Sequence, residues 1–148
     1  MIKPRARLRG LAIVEAALVV PLLFLILIGS IQYGWCFLKV QQLEQAARQG
    51  ARTGVLQTAT TTNVNNKIAT VMNSAGLGSS GYTVAFRNAT AGTTITDVAD
   101  PAQLPVGDLL EVTVTVPDYS VIGVINAPLI PMPTSVEGQT AMMKEGPL

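Results

Sequence analysis

The feature that most constrains this chain is an apolar run at residues 11–38. Its 28 residues carry a single charged side chain, Glu15. A helix of about 20 apolar residues spans the hydrocarbon of a bilayer, and residues 16–38 alone meet that length, with Ser30 and Gln32 as the clearest polar exceptions. A chain of 148 residues has room for one domain at most. The core of so small a domain does not need an unbroken run of this length, so we predict a membrane-spanning helix.

The charges on either side of the apolar run predict its orientation. Residues 1–10 hold no acidic residue and four basic ones, which are Lys3, Arg5, Arg7 and Arg9. From residue 11 onward the chain has six basic and nine acidic residues, a net charge of 6 − 9 = −3. Basic residues flanking a span stay in the cytoplasm, so we expect the bulk of the chain outside it. The alternative, a removable signal peptide, fits less well because the run is too long and contains Glu15.

Composition argues against several classes of function. The chain has no histidine and one cysteine, Cys36, so it lacks the most common general base, an internal disulfide and a cysteine-rich zinc site. A net charge of +1 gives no basic field for nucleic acid. Asp97, Asp100 and Asp108 do not have the spacing of calcium ligands. We therefore expect no enzyme, no cofactor, no metal and no nucleic-acid partner.

The helix is predicted to continue beyond the membrane. Residues 39–56 are rich in good helix formers, and Val40, Leu43, Ala47 and Val55 fall roughly on one stripe. One helix over residues 11–56 would be about 70 Å long, and Pro21 should bend it or loosen its first turns. This divides the chain into a basic leader at 1–10, a long helix at 11–56 and a head domain at 57–148.

The head domain is predicted to be small and of mixed structure. Asn63 or Asn65 would cap a short helix that ends near Gly76. Strands are expected at 82–86, at 109–116, where Val112, Val114 and Val116 alternate with polar residues, and at 135–143. Pro128, Pro131 and Pro133 break the apolar stretch between the last two strands into a loop. The fold class is therefore α+β, a long N-terminal helix with a short second helix and a small antiparallel sheet.

The first third of the chain resembles TadE-like pilins, within the wider type IV pilin class. The resemblance rests on the basic leader ending at Gly10, on Glu15 five positions later, and on the strings VVPLL and QAARQGAR. It implies that a prepilin peptidase cuts between Gly10 and Leu11. Glu15 would then lie one helical turn from the new amine of Leu11 and pair with it, on its own chain or a neighbour's, to set the register of an incoming subunit. Alternatively, Glu15 is a helix-start residue whose carboxylate reaches the headgroups.

Small residues recur along the helix at a spacing of four. They are Ser30 and Gly34 within the apolar run, and Ala46, Gly50 and Gly54 beyond it. Small residues at this spacing let helices approach closely. Two interpretations stay open, a helix bundle at the core of a filament and packing of this helix against its own head.

Two functions are consistent with these observations. The first is a pilin that is inserted in the cytoplasmic membrane, cut, and assembled into a surface filament or filament-initiating complex for attachment. Its partners would be the membrane, the prepilin peptidase, an inner-membrane assembly platform, and other copies of itself or related pilins. The second is a permanently anchored scaffold of a Tad-type secretion apparatus that does not polymerise. Processing and polymerisation distinguish the two, because the hydropathy profile is the same for both.

Overall fold

The computed structural model describes residues 6–90, 95–124 and 130–146, with side chains from residue 12 onward. Two helices, α1 (Ala6–Gly54) and α2 (Thr61–Ser74), precede a sheet of four strands, which are β1 (Thr83–Asn88), β2 (Thr96–Asp97), β3 (Leu109–Val116) and β4 (Val136–Met143). Short 3₁₀ turns lie at Pro101–Gln103 and Tyr119–Val121. The predicted α+β class is confirmed.

Helix α1 is a single helix of 49 residues, about 70 Å long at 1.5 Å per residue. It continues without interruption through Pro21. It begins inside the predicted leader, whose residues 1–5 lie outside the described part of the chain. The described residues contain one helix long and apolar enough to cross a membrane, Ala12–Gly54, and none of its most apolar stretch is buried within the chain. Such a helix is compatible with membrane anchoring.

The N-cap of helix α2 lies three residues before Asn63 and five before Asn65, the two caps predicted for it. Thr60 is the N-cap, and its side-chain oxygen accepts a hydrogen bond from the backbone N–H of Asn63 at 3.3 Å. The prediction of Asn63 or Asn65 was wrong because Thr60 already has the extended backbone that a cap requires, which leaves Asn63 inside the first turn. Val64, Ile68 and Met72 form the buried face of this helix.

The sheet is antiparallel, with the strand order β2-β1-β3-β4. β3 is central, and its Val112 lies opposite Phe86 of β1 and Thr140 of β4. The valines of β3 are buried as predicted, but Glu111 and Thr113 on the opposite face are also only 7% exposed. A central strand is shielded by its neighbours, and here the Arg87 guanidinium reaches to 4.0 Å from the Glu111 carboxylate.

The core of the head forms around the C-terminal part of α1. Leu43, Ala46, Ala47 and Ala51 are fully buried and belong to one apolar cluster with the inner faces of α2, β3 and β4. The head therefore does not sit beyond the end of the long helix. It is built on the last third of that helix, which is an integral part of its core.

Candidate assembly site on the long helix

The N-terminal part of α1 presents its apolar side chains on the surface. Ile13, Leu18 and Phe37 are 69%, 76% and 65% exposed. A shallow apolar groove on this part of the helix is lined by Val20, Leu23, Phe24 and Leu27. These four lie at the three- and four-residue spacing with which one helix packs against another. The surface can therefore be covered by lipid chains or by a second helix.

Glu15 is exposed on this apolar surface. No ion pair among the described side chains involves it. The backbone of α1 is continuous through Gly10 and Leu11, whose side chains lie outside the described part of the chain. Glu15 follows Leu11 by four positions on the helix, a rise of about 6 Å. Cleavage after Gly10 and pairing of Glu15 with the new amine remain predictions.

The small residues of α1 fall into two groups in different surroundings. A Cβ atom on Gly50 would lie 2.6 Å from the Ile68 Cδ1 of α2, and one on Gly54 would lie 2.6 Å from the Leu110 Cδ2 of β3. Ala46, in the same stripe, is fully buried in the core. In contrast, Gly34 has nothing within 4 Å, and the Ser30 hydroxyl donates to the Ile26 carbonyl of its own helix at 2.9 Å. The distal group therefore packs on the head of its own chain.

Gly138 of β4 provides the closest approach between the sheet and α1, and the sequence analysis did not single it out. A Cβ atom there would overlap the backbone of Leu43 and Glu44, including the Leu43 carbonyl oxygen at 2.7 Å. Backbone atoms cannot rotate away as a flexible side chain can. A glycine inside a strand often marks such a close approach, and that signal was present in the sequence.

Lys144 secures the C-terminal end of α1 and was also missed. Its side chain is 5% exposed. Its Nζ donates to three backbone carbonyls, Gly54 at 3.3 Å, Leu56 at 3.1 Å and Pro101 at 3.0 Å. The next residue, Glu145, donates its backbone N–H to the Val55 carbonyl at 3.1 Å. A cation near the last carbonyls of a helix is favourable, so β4 covers α1 and Lys144, directly after β4, caps it.

The segment after β3 lies along the middle of α1. The Tyr33 hydroxyl donates to the Pro131 carbonyl, and the Trp35 Nε1 donates to the Ile122 carbonyl, both at 2.8 Å. Burial raises the pKa of Tyr119 to about 12, and the neighbouring Cys36 thiol is a secondary cause. The structure thus pairs both Tyr33 and Trp35 with the segment that follows β3.

The three aspartates considered for calcium serve separate local purposes. Asp97 pairs with the Arg87 Nε at 3.1 Å, Asp100 accepts from the Ala102 N–H at 3.1 Å, and Asp108 accepts from the Asn88 amide at 2.8 Å. The described part of the chain contains no group of three or more His, Cys, Asp or Glu side chains placed to hold a metal. The surface left to explain is therefore the apolar part of α1.

Comparison with known proteins bears on that same part of the chain. The family model described as TadE-like protein matches residues 10–52. The long helix is therefore similar to that of TadE-like proteins. The match begins at the predicted cleavage position and ends among the buried small residues of α1, so it covers both the exposed and the buried part of this helix. It confirms the resemblance inferred from the sequence. No curated protein and no solved structure matches the chain.

Proposed function

We propose that this chain is a structural subunit of the pilin type, associated with a Tad pilus. It is inserted in the cytoplasmic membrane with its N-terminus inside, cut after Gly10 by a prepilin peptidase, and passed by an inner-membrane assembly platform into a surface filament or a filament-initiating complex. The observation that carries the proposal is the exposed apolar part of α1 with one carboxylate on it. The TadE-like match over residues 10–52 supports it.

The physical reason concerns what can cover this surface. Large exposed apolar patches mark sites of interaction with membranes or other proteins. In the membrane, lipid chains cover the exposed residues 12–27, and in a filament the same side chains pack on neighbouring helices through the groove at Val20, Leu23, Phe24 and Leu27. The head needs no rearrangement for this exchange, because its core uses the opposite end of α1.

Glu15 gives the assembly its register. A carboxylate within the hydrocarbon costs a few kcal/mol unless it is paired, and cleavage creates an amine one helical turn away at Leu11. Pairing with the amine of a neighbouring chain would then favour one axial position of the incoming subunit. Loss of one partner of a desolvated ion pair costs about 3–5 kcal/mol, which is enough to abolish stable addition of a subunit.

The test is the variant Glu15→Gln, compared with Ser30→Ala as a matched polar change on the same helix. We expect Glu15→Gln to reach the membrane at the normal level and to be missing from sheared surface material, because Gln keeps the shape but not the charge. Ser30→Ala should assemble normally, since its hydroxyl bonds only within its own helix. Normal filaments from Glu15→Gln would contradict the proposed register. Absence of the unaltered chain from all surface material would favour the anchored, unpolymerised scaffold of a Tad-type secretion apparatus.

A further inference from the structure

The segment between β3 and β4 makes contacts far down the long helix. We call its described residues, 117–124 and 130–135, the clasp. Its contacts reach α1 at Trp35 and Tyr33 through two hydrogen bonds. They extend as far as Gly29, where an added Cβ would lie 3.9 Å from the Ile130 Cδ1. The level of Gly29 on α1 is therefore already occupied by the head of the same chain.

The backbone of the clasp limits how deep this level can lie in a membrane. The clasp holds one short 3₁₀ turn, Tyr119–Val121, and is otherwise irregular. Irregular backbone exposed to lipid does not occur within the hydrocarbon, because its N–H and C=O groups would lack partners. The outer boundary of the hydrocarbon must therefore lie close to residue 30 of α1. This boundary differs from the span of 16–38, which was considered on length alone.

The opposite boundary follows from the length of the helix. Twenty residues, 11–30, lie between the predicted cleavage position and this level. At 1.5 Å per residue they extend about 30 Å, which is the thickness of the hydrocarbon core. With the outer boundary at residue 30, the Gly10–Leu11 bond lies at the inner edge of the membrane and Glu15 lies about one turn inside it.

The outer surface of the clasp suits contact with lipid. Val121 and Val124 are 58% and 53% exposed, and the sequence carries no charged residue between Asp118 and Glu137. The exposed valines belong to the same segment that contacts the apolar part of α1. Tyr33 and Trp35, which donate hydrogen bonds to the clasp, are the residue types enriched at the interface of membrane and water. A second copy of the chain is the competing occupant, and the test below distinguishes it.

We propose that the clasp rests on the outer surface of the membrane, with Val121 and Val124 in the interfacial layer of the lipid. In this position it acts as a stop that fixes the depth of α1 and holds the Gly10–Leu11 bond at the inner edge. The inference rests on the membrane-inserted stage of the proposed function. It adds a second, peripheral membrane contact to the one made by the helix.

The experiment uses the full chain in vesicles of phosphatidylcholine and phosphatidylglycerol. Single cysteines replace Val121, Val124, Leu23 or Val106 in a Cys36→Ala background, and each carries a polarity-sensitive fluorophore. Lipids bearing a quencher near the top or near the end of the acyl chain report the depth. Val106 is the matched control, because it is the same residue type as Val121 and is also 58% exposed, but its neighbour Gly107 bonds to Lys144 at the other end of the head.

We expect quenching at 121 and 124 by the shallow lipid only, quenching at 23 by the deep lipid, and none at 106. Quenching at 23 with 121 and 124 behaving like 106 would overturn the clasp inference and leave the anchor intact. Absence of quenching at 23 would refute the anchor and the inference with it. The fluorophores at 121 and 124 could instead report an apolar environment that depends on protein concentration and not on lipid. That result would assign the surface to a second copy and would also overturn the inference.

Discussion

The two ends of helix α1 differ in what covers them. Toward the N-terminus, residues 12–27 are exposed around the whole helix. Toward the C-terminus, the stripe containing Leu43, Ala47 and Ala51 is fully buried by α2 and the sheet. A single helix thus forms part of the core of a folded domain at one end, and at the other end its apolar side chains are exposed on all sides.

The difference lies in side-chain size as well as in hydropathy. The buried end uses alanine and glycine, which let α2 and β3 approach closely at Gly50 and Gly54. Gly138 of β4 makes its own close approach to the backbone of Leu43 and Glu44. The exposed end uses Leu, Val, Ile and Phe, which project far from the helix axis. Small residues favour permanent packing within the chain, and large ones favour a surface that lipid or another helix can cover. Substitutions that enlarge a glycine should therefore destabilise the head where the glycine is buried and leave its stability unchanged at the exposed end of α1.

The largest effect is expected at the crossing of β4 over α1. Gly138→Ala places a methyl group against helix backbone, so the sheet must move off the helix, at a cost of about 3 kcal/mol or more. For a head of this size the thermal midpoint should fall by on the order of 10–20 °C, measured by near-ultraviolet circular dichroism of the full chain in detergent. Gly34→Ala is the control and should not change it, because nothing lies within 4 Å of that position. Equal midpoints for the two variants would disprove the close approach.

A somewhat smaller effect is expected in the stripe of small residues. Gly50→Leu would overlap Ile68 of α2, whose side chain can partly move, so we expect a loss of about 2–3 kcal/mol. Gly34→Leu on the exposed end should leave the unfolding midpoint of the head unchanged. The pair also separates the two interpretations of the stripe. A Gly50→Leu chain with a normally stable head that fails to assemble would assign the stripe to contacts between subunits.

Lys144→Met tests the cap at the end of α1. The Met side chain keeps the apolar stem but leaves the carbonyls of Gly54, Leu56 and Pro101 without their donor. The expected loss is about 1–2 kcal/mol in the free energy of unfolding, with the last turn of α1 becoming accessible to amide hydrogen exchange. Lys67→Met, an exposed lysine on α2, is the matched control. Similar exchange in both variants would show that the cap is dispensable.

The smallest effect concerns Tyr119 and is a loss of stability that appears only at alkaline pH. Its pKa of about 12 in the folded chain exceeds the ordinary value of about 10. The folded chain therefore holds this proton more tightly, and the resulting stabilisation is present below pH about 10 and is lost as the pH rises toward 12. Ultraviolet titration of tyrosinate in detergent should show one late phase that disappears in Tyr119→Phe and persists in Tyr82→Phe. A late phase that survives Tyr119→Phe would contradict the burial of this side chain.

Local sequence patterns predicted the elements that local forces determine. β3 was predicted at its exact bounds, because its β-branched residues alternate with polar ones and Pro117 follows directly. The long helix followed from its apolar run and its stripe. The cap of α2 was missed because residues 58–66 hold several polar side chains able to cap, and the backbone conformation that selects Thr60 is not written in the sequence.

Contacts between distant parts of the chain could not be predicted in the same way. The three carbonyls that surround Lys144 come from residues 54, 56 and 101, and only the tertiary fold brings them together. Trp35 and Ile122 are 87 positions apart, and no local pattern in the sequence pairs them. Gly10 and Glu15 were recognised only because their spacing matches a known family, and their roles need a processed chain to be observed.

The most direct measurement is the intact mass and N-terminal sequence of the protein recovered from membranes and from sheared surface material, for the unaltered chain and for Gly10→Val. We predict that the unaltered chain in the surface material begins at Leu11. The Gly10→Val chain should keep its leader and stay in the membrane, because a bulky side chain blocks close approach of the peptidase to the backbone. An unaltered chain that begins at Met1 and occurs only in membranes would contradict the pilin function and leave the anchored scaffold. A Met1 chain in surface filaments would contradict the need for cleavage.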